Sequence, residues 1–247
     1  MPGRALVRSR SIVAEFVIVV LGVLVALAAD SAVERRRERA AAYEALAAIR
    51  RDVAADAAQL EGRIRNQVER GQQARARLEL FLTSGSEIVD SVQFLRDIDR
   101  VSFYQTFDPN TAAMEGLVNS GKLELIESPQ LRSAILEYQN DVEDIIRFEG
   151  PARAASLQLE ARLLPQLVSG LVLSTYRDVI MRGSDLETVR SVAARSLDSD
   201  RIRRSDALRE LLVSTARFFN AQRGQYGGAL NEANNLVEML DVVLNDR

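Results

Sequence analysis

Residues 12–29 of the chain, IVAEFVIVVLGVLVALAA, contain one charged side chain, Glu15, and no polar face from Phe16 onward. As a helix this stretch would be about 27 Å long, enough for the hydrocarbon core of a bilayer. The pattern therefore predicts a transmembrane helix at 12–29 behind a short basic tail, 1–11, which holds Arg4, Arg8 and Arg10. A basic tail and the small-x-small run Ala26-Leu27-Ala28 are also what a cleavable signal peptide shows. The helical pattern that continues beyond Ala28 without proline or glycine favours an anchor that is retained.

Past the apolar run the pattern becomes amphipathic. Leu46, Ile49, Val53, Ala57, Leu60 and Ile64 recur at spacings of three and four, with arginines and acids filling the other face. No proline interrupts 30–82, which reads as one long stalk or bundle helix, about 80 Å if unbroken, with Gly62 and Gly71 as weak points. Thr83-Ser84-Gly85-Ser86 closes it.

The remainder, 83–247, reads as the rest of a helical bundle. Ile88, Val92, Leu95 and Ile98 mark a helix over 87–99, and an aromatic loop follows from Val101-Ser102-Phe103-Tyr104 to Asp108-Pro109-Asn110. A helix over 111–120 stops at Gly121. Ser128-Pro129 opens the next one, with serine at the cap and proline in the first turn; its stripe is Leu131, Ile135, Tyr138, Val142 and Ile145. Gly150-Pro151 is expected to interrupt this helix, and Pro165 to break or kink its continuation. Ser184-Asp185-Leu186-Glu187 has the form of a capping box. A last helix from Asp200 or Ser205 turns Leu208, Leu211, Leu212, Thr215, Phe218, Phe219, Tyr226, Leu236, Leu240 and Val243 to one side. Gly224, Gly227 and Gly228 in its middle predict either close packing of another helix or a local break. The one strand candidate is 122–126, KLELI. The fold class is all-α: an N-terminal transmembrane helix continuing into a long stalk helix and an antiparallel helical bundle.

Composition removes more chemistry than it suggests. The chain has no histidine and no cysteine, so Ser–His and Cys–His nucleophilic sites, thiolate or imidazole metal sites, disulfides and iron–sulfur clusters are excluded within it. A formal charge of -3 and arginines spread along the helices give no footprint for nucleic acid. No glycine-rich phosphate loop follows a strand. Acidic residues pair by default on such helices, as Asp141 with Asp144 or Glu143 with Arg147, so a carboxylate-dependent enzyme is the one catalytic reading left. No catalytic, cofactor-binding or metal-binding residue is assigned. Glu15 lies in the first turn of the span, where the helix dipole and nearby headgroups accommodate an anion, or it is a functional intramembrane carboxylate. Gly22 and Ala26 form a small-xxx-small pair that lets two anchors pack.

The segment Leu117-Val118-Asn119-Ser120-Gly121-Lys122-Leu123-Glu124-Leu125-Ile126, followed by Leu131-Arg132 and Tyr138, resembles a family of uncharacterised bacterial single-pass membrane proteins. The run from Ala14-Glu15-Phe16 through Gly22 to Ala26-Leu27 fits that family's span, with Ala14 in place of its glycine, whereas Ala28-Ala29-Asp30-Ser31 lacks its polar exit. The resemblance implies a retained anchor and a helical domain, and it carries no activity and no site residues. In physical terms Gly121 ends one helix, Leu123, Leu125 and Ile126 pin the connection, and Ser128-Pro129 begins the return. Arg132 either pairs with Glu124 or Glu127 or binds an anionic ligand.

These features lead us to expect a membrane-anchored helical interaction or sensor-like module without catalysis, with a structural scaffold of the envelope as the alternative. The expected partners are the lipid bilayer, through 12–29, and a second copy or another membrane protein. Arg4, Arg8 and Arg10 oppose Arg35, Arg36, Arg37 and Arg39 across the span. Keeping the short tail in the cytoplasm of a bacterial inner membrane puts the domain in the periplasm.

Overall fold

A single rod of helix makes up the first third of the chain. The computed structural model describes the backbone of residues 5–182 and 186–245, and side chains from Val20 on except at 170–171, 180–185 and 194–196. Helix α1 (Ala5–Arg63) passes through one π-helical turn, Ile64–Glu69, into α2 (Arg70–Ser84). Arg63, Glu69 and Arg70 at the joints keep right-handed helical dihedrals, so the rod is continuous over about 120 Å. An alanine-rich, proline-free sequence offers nothing to stop it before Gly85, whose φ of 69° supplies the left-handed residue that closes a helix. Apolar run, stalk and bundle helix are thus one element, longer at both ends than the 30–82 expected. Burial divides it. From Val20 to Arg37 every residue is exposed, whereas Leu46, Ile49, Val53 and Leu60 are buried.

Helix α3 (Ser91–Ser102) returns antiparallel to α2, held by a bidentate Arg77–Asp97 pair at 2.8 and 2.6 Å and an edge-to-face contact of Phe81 with Phe94. It starts later than its apolar spacing suggested, because Asp90 caps it by accepting from the amides of Val92 and Gln93. The expected aromatic loop occupies 103–111. Helix α4 (Ala112–Asn119) ends at Gly121, φ 70°. The strand candidate at 122–126 is instead a 3₁₀ turn, Lys122–Leu125. Wedged between the left-handed Gly121 and the Ser128 cap, it has no neighbouring strand to pair with, and Ile126 is its buried plug. No strand occurs among the described residues.

Helix α5 (Pro129–Leu167) is capped by Ser128 Oγ, which accepts from the Leu131 amide at 3.2 Å. It runs through Gly150-Pro151 and through Pro165 without interruption, contrary to the sequence expectation. The buried stripe explains why: Val142, Ile145, Glu149, Ala152 and Ser156 keep helical phase across the proline, while Gly150 and Pro151 face solvent. One lost backbone bond on the outer face is outweighed by packing on the inner one. Pro165 falls in the last turn, where little helix remains to break.

Helices α6 (Gly170–Arg182), α7 (Leu186–Ser196) and α8 (Ser199–Arg204) cover one end, and α9 (Asp206–Asn245) is central. Ser184 and Asp185 of the expected capping box lie outside the described residues. α9 is antiparallel to α1–α2, since Arg50 pairs with Asp241 and Arg75 Nε donates to the Leu212 carbonyl. It is also antiparallel to α5, where Glu149 meets Tyr226 and Arg162 meets Glu210. α1 and α5 therefore run parallel to each other, a refinement of the all-antiparallel bundle expected. The stripes anticipated in α1, α5 and α9 are the ones that meet in the core, with Phe218 and Val243 half-buried at its edge.

Neither reading of the α9 glycines holds. The helix is unbroken, and a Cβ at Gly224, Gly227 or Gly228 would meet nothing within 4 Å. The close approach is at Gly71 of α2, where a Cβ would lie 2.5 Å from the Phe219 ring.

Candidate functional site

The loop at 103–111 has no regular structure, so its buried backbone groups need partners from side chains. Four helical residues supply them. Asp56 of α1 accepts from the Asn110 amide at 3.0 Å, from Asn110 Nδ2 at 2.8 Å and from the Tyr138 hydroxyl at 3.0 Å. Glu149 of α5 accepts the Phe107 amide on both carboxyl oxygens, each at 2.9 Å, and the Tyr226 hydroxyl. Gln59 takes the Asp108 amide and donates to the Asp108 carbonyl. Gln67, buried within the π turn, pairs with both backbone groups of Gln105 at 3.1 Å and accepts from Gln222 Nε2 at 3.2 Å. Gln222 Nε2 in turn donates to the Tyr226 hydroxyl. Arg63 donates to Gln105 Oε1.

Two carboxyls buried without an ion pair shift accordingly. Loss of hydration raises Asp56 above the ordinary carboxylate range, opposed by the Asn110 and Tyr138 hydrogen bonds. Burial likewise raises Glu149, opposed by Tyr226, the Phe107 amide and the charge of Arg63. The phenols move up too, through burial first and then the neighbouring carboxylates. Every carboxyl oxygen of Asp56 and Glu149 accepts from an internal donor. Chemically the cluster can fasten a loop and report on protonation; no group of three or more metal-ligating side chains gathers among the described residues.

Sequence reading did not single out Asp56, Glu149, Gln67 or Gln222. The available signal was phase: Val53, Asp56 and Leu60, then Ile145, Glu149 and Ala152, place a polar residue where the stripe needs an inward one.

The residues that were singled out have plainer places. Arg132 pairs with neither Glu124 nor Glu127 but donates to the Ile126 carbonyl, closing the turn before α5. Arg147 meets Asp144 at 2.9 Å, not Glu143, which accepts from Gln139. Asp141 is raised by burial and by Glu232, Asp144 and Glu137.

A second feature is apolar. Val20, Leu21, Val23, Leu24, Val25 and Leu27 stand on all sides of α1 and are 39–65% exposed. Gly22 meets nothing within 4 Å, and Ala26 is exposed. Among the described residues no helix is long and apolar enough to cross a membrane. The side chains at 12–19, the first part of the expected span and including Glu15, lie outside the described ones.

Fold and cluster together define an all-helical protein in which a long rod and two further helices bury a polar clasp for one loop. Residues 15–151 match the Family of unknown function (DUF6090), more than half the chain, and the chain belongs to that family. The match takes in Asp56, the loop, Tyr138 and Glu149, and leaves out Gln222 and Tyr226. No curated protein and no solved structure matches.

Proposed function

We propose that the chain is a membrane-anchored helical interaction module, with 12–29 in the bilayer of a bacterial inner membrane and the bundle outside the cytoplasm. One observation carries this reading: the apolar side chains from Val20 to Leu27 surround the rod and all are exposed. A protein partner covers one face of a helix, whereas lipid covers all of them, and exposure of this kind in water is costly. The apolar sequence continues to Ile12, and the family match begins inside it, at Glu15. Catalysis is not part of the proposal, because the buried carboxylates are used up in fastening the loop. The Gly22–Ala26 surface favours a paired anchor, which makes a homo-oligomeric scaffold the second reading.

Membrane fractionation tests it. The full chain should stay with the membrane through an alkaline wash, and a fragment of 30–247 should be released yet remain helical by circular dichroism. A reporter active only outside the cytoplasm, fused after Arg247, should work. Full chain in the soluble fraction, or a mature N-terminus beginning near Ala29, rejects the anchor.

A further inference from the structure

Beside the clasped loop is a cleft of about 480 Å³, reached by residues of α1, α5 and α6. Arg63, Arg153 and Arg177 line it. Arg177 is neutralised: its Nε donates to Asp99 at 2.9 Å, and its Nη2 lies 2.7 Å from Glu160. The other two make no ion pair among the described residues, although the charge of Arg63 is felt at Glu149. Arg63 gives one N–H to the neutral Gln105 Oε1, and its Nε is buried without a partner. Arg153 makes no hydrogen bond or ion pair among the described residues.

A guanidinium is always charged and carries five donors in a planar fork that matches a carboxylate or a phosphate. Two of them lining one cleft favour an anion there, and the buried Nε of Arg63 is a donor still to be met. The cleft has more room than an inorganic oxyanion needs, and Phe103 and Leu157 also line it, 50% and 56% exposed. We propose that this cleft binds a small organic anion, a carboxylate or phosphate monoester. Its charged end lies between Arg63 and Arg153, and its apolar body lies on Phe103 and Leu157. The position is coupled to the clasp, since Arg63 also holds Gln105, whose backbone Gln67 grips.

The test is thermal unfolding of the full chain in detergent micelles, titrated with phenyl phosphate and, separately, with inorganic phosphate. Phenyl phosphate should raise the unfolding temperature saturably and at lower concentration than inorganic phosphate. Arg153 has no partner to lose among the described residues, so Arg153→Ala should unfold unchanged without ligand and bind at least about tenfold more weakly, the equivalent of one charge-assisted contact. Arg63→Met should weaken binding similarly. No saturable shift, a shift that Arg153→Ala leaves intact, or equal binding of the two phosphates overturns the proposal. The cleft uses no residue of 12–29, so phase partition of the same samples reports on the anchor separately.

Discussion

Asp56 and Glu149 work against the usual acid sensitivity of a folded chain. Their folded-state carboxyls hold a proton more readily than in the unfolded chain. Their contribution to stability is therefore full at low pH and is lost as pH rises through the interval between the ordinary carboxyl value and the raised one. Asp241, held low by Arg50, has the opposite sign. Asp56→Asn mimics the protonated carboxyl, so it should cost least near neutral pH and progressively more as pH falls through that interval. Urea unfolding of both proteins across that range checks this; parallel pH profiles would remove Asp56 from the account. Glycines give a second residue-scale contrast. Gly224→Ala, in open space, should stabilise by up to about 1 kcal/mol. Gly71→Ala, against the buried Phe219 ring, should destabilise by about 1–3 kcal/mol and be partly rescued by Phe219→Leu in a double-mutant cycle. Sequence alone ranked these glycines the other way, because nothing local in Gly71 or Gly224 tells which of them a distant aromatic ring approaches. It also passed over Asp56 and Glu149, since an acid within an apolar stripe reads as the edge of the stripe until the facing helix is known.

At the scale of elements, the stop signals were legible and the tolerated interruptions were not. Gly85, Gly121 and Ser128-Pro129 act through local dihedrals and caps, and each ends or starts a helix where its chemistry says it should. Gly150-Pro151 looks just as decisive, yet α5 survives it because the outcome depends on which face the proline occupies. KLELI was ambiguous for a related reason: alternation over so few residues does not distinguish a strand from a turn that tucks leucines under a bundle, and the turn reading is the one that holds. Since Pro151 is exposed and α5 is held from its inner face, Pro151→Ala should restore a backbone bond and raise stability by about 1–3 kcal/mol. The denaturant midpoint measures it. An unchanged or lower midpoint would mean that Pro151 costs the folded helix nothing.

For the molecule as a whole, periodicity gave three core helices but not their directions, which follow from the excursion through α2, α3 and α4. Nor did any pattern announce the π turn. Its consequence is a frameshift. Steps of three and four from Leu46 select Ile49, Val53, Asp56 and Leu60; carried on unchanged, they would select Arg63, Gln67, Arg70, Ala74 and Arg77. The chain buries Gln67 and Ala74 of that series, but Val68, Gly71 and Leu78 in place of its arginines. One residue is worth about 100° around a helix, so the widened turn moves Arg70 and Arg77 off the seam and Leu78 onto it. The rod is written in two frames, legible together only with the extra residue between them. Deleting the exposed Asn66 should merge them, aim two arginines at α9 and abolish cooperative thermal unfolding. Deleting Arg36 from the exposed part of the rod should merely swivel the N-terminal end by about 100° and leave the unfolding temperature where it was.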